Sequence, residues 1–146
     1  MALRLGGMGV PRNCDKMGSQ DQILKGLQAW AGQFYGADAT VERLVRLSGG
    51  ASQETWSLDV EQGGKVVDLI LRRVPGGVSV ARNSEAIGLG TEAKLLSCAE
   101  GEVPAPKVVQ VFEPDSDIGE AFLMNRIPGQ TIARKILRDR PPSPQE

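Results

Sequence analysis

Residues 47–56, LSGGASQETW, lie between two segments with strand character. Before them, the apolar-rich segment Thr40–Leu47 predicts a strand. After them, Trp56, Leu58 and Val60 alternate with polar residues, the period of two that is typical of a half-buried strand. Two glycines between neighbouring strands allow backbone N–H groups to approach a ligand closely, because no Cβ stands in the way. The sequence therefore predicts a glycine loop between two strands.

A third strand follows a tight turn. Gly63 and Gly64 supply the positive φ that a short hairpin needs, and Val66–Arg73 is rich in β-branched and aliphatic residues. Three consecutive strands of this kind form an antiparallel meander. The third ends in Arg72 and Arg73, whose side chains point to opposite faces of the sheet because side chains alternate along a strand.

Two helices and two more strands complete the predicted fold. Ser19 and Gln22 form a capping box ahead of apolar residues at helical spacing, so we expect a helix from Ser19 to Phe34. The remaining predicted elements are a helix over Gly90–Ala99 and strands over Lys107–Glu113 and Ala121–Arg126. The predicted fold class is α+β, with a five-stranded, mostly antiparallel sheet, a helix packed on one face and an N-terminal helix.

Composition excludes several classes of function. The 17 basic and 18 acidic residues leave a net charge of -1, so we expect neither nucleic acid nor a membrane surface as a partner. No apolar run approaches the roughly 20 residues that cross a bilayer. Cys14 and Cys98 lie in dissimilar contexts, which favours free thiols in the cytoplasm. With 0 histidines, imidazole-based zinc sites and Ser-His catalysis are excluded.

Five segments carry a family resemblance. They are LSGGASQETW (47–56), LILRR (69–73), TEAKLL (91–96), VPAPK (103–107) and FLMNRIPG (122–129). In this order and at this spacing they resemble the aminoglycoside phosphotransferase family, a kinase-like fold, and especially its bacterial members. The resemblance covers about Ala39 to Asp139. It implies a kinase-like small lobe over 19–127, and the hinge, the beginning of a large-lobe helix and a truncated tail over 128–146. Residues 1–18 lack an amphipathic stripe, so we expect a disordered tail there.

The glycine loop is the first part of the nucleotide site that the resemblance implies. ATP would be the cofactor, and Gly49 and Gly50 would bring backbone N–H groups to its phosphates. Their neighbours Ser48, Ala51 and Ser52 would complete the loop, with a serine hydroxyl as a further donor. Without the family, an ordinary hairpin turn explains the same residues.

The resemblance also implies a basic residue at the end of the third strand. Arg72 matches the position that contacts the nucleotide phosphates, and an arginine there offers a planar fork of donors. Glu92 matches the helix carboxylate that holds this basic residue in place, with Glu85 as the alternative. Taken alone, the two arginines are also compatible with a solvated strand end, and Glu92 with an exposed helix acid.

The last part of the implied site is the hinge behind the adenine. Met124, Asn125, Arg126 and Ile127 match it, and their backbone N–H and C=O groups would contact the edge of the base. The apolar side chains in this strand can belong to the core and to the wall of the base site at the same time.

The resemblance implies that the catalytic groups belong to the large lobe of the family. In the family, a His-Gly-Asp loop orients the acceptor hydroxyl, and residues of the large lobe hold Mg²⁺. This sequence has 0 histidines and only 7 residues after Asp139. We therefore assign no catalytic or metal-binding residue, and we expect phosphotransfer to a small hydroxylated acceptor only where a large lobe is present.

Three interpretations follow. The favoured one is a truncated product of an ordinary kinase gene, because the family pattern continues through QTIARKILRD (130–139) and then changes to RPPSPQE (140–146). The second is a non-catalytic, pseudokinase-like binding or interaction module. The third is a generic α+β domain whose likeness to the family is accidental.

Overall fold

The fold is taken from a computed structural model that describes residues 14–48, 53–77 and 87–129, together with Lys135 and Arg138. Several predictions lie outside the described residues: those for the first 13 residues, for Gly49, Gly50, Ala51 and Ser52, for Glu85, and for most of the segment after Gly129.

The five predicted strands form one sheet in the order β1-β2-β3-β5-β4. Their bounds are Thr40–Leu47 (β1), Glu54–Gln62 (β2), Lys65–Arg73 (β3), Val108–Phe112 (β4) and Ala121–Asn125 (β5). All four neighbouring pairs are antiparallel. The first three strands are the predicted meander, and β5 pairs with β3 so that β4 lies at the edge. The predicted α+β fold class, that of a kinase-like small lobe, is confirmed.

Two helices flank the sheet, α1 over Cys14–Phe34 and α2 over Leu89–Ala99. The start of α2 agrees with the prediction to within one residue. The predicted start of α1 is wrong, because the helix begins at Cys14 and Ser19 lies inside it. No proline occurs between Cys14 and Ser19, so nothing there prevents the helix from extending beyond the capping signal.

The helices pack on opposite faces of the sheet. Leu123 belongs to the large cluster that includes Ile23 and Leu27 of α1, whereas its neighbour Phe122 packs with Leu89 and Ala93 of α2. Because consecutive strand residues point to opposite faces, these contacts define an α1 face and an α2 face. The α1 face carries the main core, whose strand members include Trp56, Leu58, Val60, Leu69 and Leu71.

The chain after β3 is tied to the turn that joins β4 and β5. Val74 N–H donates to the carbonyl of Glu120 at 3.0 Å, and Glu120 N–H donates to the carbonyl of Gly77 at 2.8 Å. Gly77 and Gly119 both have positive φ, 80° and 81°, and their backbones approach so closely that a Cβ on Gly119 would overlap Gly77. This contact fixes the chain after β3 against the start of the neighbouring strand β5. Neither helix in the described part of the chain is long and apolar enough to span a membrane.

Candidate functional site

Arg72 and Glu92 form an ion pair on the α2 face, as the sequence predicted. Arg72 Nη1 lies 2.6 Å from Glu92 Oε1, and the two side chains are 32% and 27% exposed. Glu92 is in the first turn of α2, where a carboxylate also interacts favourably with the helix dipole. The short contact orients the guanidinium, and the partial exposure of the Arg72 side chain leaves it accessible to a ligand.

Two further features of Arg72 bear on ligand binding. Its Nη2 donates to Oε1 of Gln53, the residue immediately before β2. Its Nε is buried and has no hydrogen-bond partner among the described residues. A buried N–H without an acceptor is unusual, and its burial leaves the two Nη groups as the part of the guanidinium that a ligand can contact. Gln53 was missed from the sequence because its contact depends on the register between β2 and β3.

Arg73 lies on the α1 face, as alternation predicted, and has a different environment. It is 6% exposed, and its Nη1 lies 3.0 Å from Oε2 of Glu54. Its Nε donates to the carbonyl of Ile118 at 2.6 Å. These contacts direct the guanidinium into the domain, so of the two arginines only Arg72 can face a ligand on the α2 face.

The predicted hinge residues lie at the end of β5 and directly after it, and the N–H groups of Asn125 and Arg126 are already occupied. Asn125 N–H donates to the carbonyl of Lys107 at 3.0 Å, and Arg126 N–H donates to the carbonyl of Asp68 at 3.1 Å. Ile127 N–H has no acceptor within the described part of the chain, and the Ile127 side chain is 54% exposed. Of these three residues, Ile127 is the one whose N–H group is open to a ligand, and contact of the hinge backbone with a base stays a prediction.

A row of side chains crosses the α2 face beside the hinge. Ser57 pairs with Ile70 on β3, and Ile70 pairs with Met124 on β5. Met124 also packs against the α2 cluster. Arg126 Nη1 donates to Ser57 Oγ at 3.4 Å, so its side chain reaches from β5 across to β2. Nothing in the sequence motif indicates where the Arg126 side chain lies, so only its backbone was predicted to take part in the site.

A family model described as "Phosphotransferase enzyme family" matches residues 43–146, more than two thirds of the chain. The chain belongs to the phosphotransferase enzyme family. The resemblance inferred from the five motifs is thus confirmed. Comparisons with curated proteins and with solved structures found no match.

The match places the site residues inside the phosphotransferase domain. It begins within β1 and includes Arg72, Glu92 and the hinge at Met124–Ile127, whereas α1 precedes it. Ser48 is exposed and directly follows β1. The role of Ser48 and of the loop residues after it in phosphate binding stays a prediction.

A separate groove of about 510 Å³ lies between α1 and the turn that joins β4 and β5. Residues that line it include Trp30, Gln33, Gln110, Phe112 and Asp117. None of the predicted site residues of the phosphotransferase domain contributes to this groove. Within the described residues, no group of three or more acidic or cysteine side chains is placed to hold a metal ion.

Proposed function

We propose that this phosphotransferase-family domain is the ATP-binding lobe of a small-molecule kinase, with its site on the α2 face. The observation that carries the proposal is the ion pair between Arg72 and Glu92 at 2.6 Å. A cation at the end of a central strand, oriented by a helix carboxylate and still partly exposed, is suited to bind the phosphates of a nucleotide.

The residues around Arg72 fit a triphosphate. A guanidinium carries only donors, and here Glu92 and Gln53 orient it. Glu92 fixes the cation without covering it, because the guanidinium side chain is 32% exposed. We expect Ser48 and the glycine loop after it to contribute hydroxyl and N–H donors to the same phosphates.

The base end of the site would lie at the hinge. Ile127 N–H is a donor with no acceptor among the described residues, and Met124, three positions before it in the chain, forms an apolar pair with Ile70 across β5 and β3. One directional donor next to an apolar wall is the usual composition of a site for a planar ligand. Ser57 pairs with Ile70, and the Arg126 side chain contacts Ser57. These two polar residues therefore lie along one edge of the apolar pair.

These residues are suited to binding ATP and not to activating the acceptor. Bound ATP supplies the phosphoryl group that is transferred to a hydroxyl of the acceptor. The described residues bind and orient ATP, and we assign none of them the role of base toward the acceptor. The sequence has 0 histidines, so the His-Gly-Asp loop of the family has no counterpart in it. We therefore propose that these 146 residues do not catalyse phosphotransfer by themselves, and that a large lobe would supply the acceptor site. We also propose a cytoplasmic location, because Cys98 is a free, exposed thiol.

Calorimetric titration with ATP tests the proposal. Arg72→Met should lower ATP affinity about tenfold or more, because charge-assisted contacts to phosphate are lost. Lys65→Met is the matched control, since Lys65 is an exposed cation at the other end of β3, and its affinity should stay within about twofold. Unchanged affinity in Arg72→Met, or no ATP binding by the unmodified chain, would contradict the proposal.

Two further assays separate the roles. Arg72→Glu and Glu92→Arg should each abolish ATP binding, and if neither change matters both assigned roles are wrong. An assay with ATP, Mg²⁺ and hydroxylated acceptors should give no turnover. Turnover that disappears in Arg72→Ala would mean that a catalytic base exists within the chain. Binding to a protein partner without any response to nucleotide would favour the alternative of a non-catalytic interaction module.

A further inference from the structure

A buried carboxylate, that of Glu54, connects three strands next to the proposed phosphate site. Glu54 is 9% exposed. Its Oε2 lies 3.0 Å from Nη1 of Arg73 on β3, and its Oε1 lies 3.5 Å from Nη2 of Arg46 on β1. Both oxygens of one carboxylate are therefore engaged, each by an arginine from a different neighbouring strand.

The position of Glu54 relates it directly to Arg72. Glu54 pairs with Arg73 in the sheet, and the next pair is Thr55 with Arg72. Gln53, the preceding residue, is the one that accepts a hydrogen bond from Arg72. Gln53, immediately before β2, and Glu54, its first residue, thus hold the two consecutive arginines at the end of β3, one pair on each face of the sheet.

Stability alone gives a weak reason for such a pair. Buried ion pairs contribute little compared with apolar residues of the same size, because burying both charges is costly. A charged pair can, however, enforce one arrangement, since a displaced partner leaves a buried charge without compensation. Here the enforced arrangement is the register of β2 against β3 at the position where Arg72 leaves the sheet.

We propose that Glu54 is a positioning residue of the phosphate site. Through Arg73 it fixes the end of β3, and through Arg46 it fixes the end of β1, so that Arg72 projects from the α2 face at a set position beside Glu92. The inference rests on the proposed function, because it assigns Glu54 an effect on phosphate binding through Arg72. It implies that loss of the Glu54 charge weakens contacts to phosphate and leaves contacts to the base unchanged.

The test compares ATP with adenosine, which lacks the phosphates, on the 146-residue chain and on Glu54→Gln. This variant keeps the size of the side chain and removes its charge. We expect ATP affinity to fall about tenfold, while adenosine affinity stays the same. Glu54→Asp, which keeps the charge, should recover part of the ATP affinity. Asp59→Asn is the control, since it removes another ion pair of β2, the one to Arg43 at 2.8 Å, and should leave the ratio of the two affinities unchanged.

Each outcome decides between the possible roles. Parallel loss of ATP and adenosine binding, or no change in either for a folded Glu54→Gln chain, overturns the positioning role. If Glu54→Gln does not fold, Arg46→Gln tests the same carboxylate from its exposed side, and an unchanged ratio of ATP to adenosine affinity there overturns it as well. If the unmodified chain binds neither compound, the proposed function itself fails. That result is distinguishable from failure of the inference alone.

Discussion

Arg72 and Arg73 are neighbours in the chain, yet one faces the α2 side of the sheet and the other faces the α1 side. The Arg72 side chain is 32% exposed and pairs with Glu92 on a helix. The Arg73 side chain is 7% exposed and pairs with Glu54 within the sheet. The same residue type therefore serves two purposes, because alternation along β3 and the burial of each face determine what the guanidinium can contact. The α1 face holds the main core, and the α2 face carries the groups that we propose bind the nucleotide.

Removal of the two arginines should separate stability from binding. Arg73→Met should lower the free energy of unfolding by about 3–5 kcal/mol, since Glu54 would be left buried with a weaker partner. Arg72→Met should change it by less than about 1 kcal/mol, because its ion pair is partly solvated. Urea denaturation of both variants measures the difference. Equal decreases in the free energy of unfolding for the two variants would mean that the Arg72 and Arg73 ion pairs contribute equally to stability, contrary to their different burial.

The aliphatic neighbours Leu71 and Ile70 extend the comparison along the same strand. Leu71 is 0% exposed in the α1 core, so Leu71→Ala should cost about 2–5 kcal/mol. Ile70 is half-buried on the α2 face, and Ile70→Ala should cost roughly half as much because less apolar surface is lost. Thermal or urea unfolding gives both values. If Ile70→Ala lowers the free energy of unfolding more than Leu71→Ala does, the main core does not lie on the α1 face.

A smaller effect should appear in the stability of the chain at alkaline pH, through Tyr35, which packs against the α1-face core. Burial raises the pKa of the Tyr35 phenol above its ordinary value of 10.0. The unfolded chain then loses this proton at lower pH than the folded chain does. The contribution of Tyr35 is therefore present below about pH 10 and is lost as pH rises through the folded pKa. Urea midpoints between pH 8 and about pH 11 should fall less steeply for Tyr35→Phe than for the unmodified chain, and identical slopes would contradict the assignment.

The same comparison explains how much the sequence could predict. Period-two patterns and glycine turns located the strands, because these signals depend on local order along the chain. The pairing of Glu92 with Arg72 was expected only from the resemblance to the aminoglycoside phosphotransferase family, since nothing local joins β3 to α2. The contacts of Gln53, Glu54 and the Arg126 side chain could not be predicted. They arise from the register between strands and from side-chain direction, which no single segment encodes. The start of α1 was missed because a capping signal marks a possible helix end and does not prevent the helix from continuing.

An NMR titration with ATP tests the central claim, that the ligand-binding groups lie on the α2 face. Backbone and arginine side-chain signals would be recorded while ATP is added to the ¹⁵N-labelled chain. We predict that the changes concentrate at Arg72, Glu92 and Ile127, with adenosine reproducing only those at the hinge. Changes concentrated at Trp30 and the other residues of the groove between α1 and the β4–β5 turn, with Arg72 and Ile127 unaffected, would contradict the account.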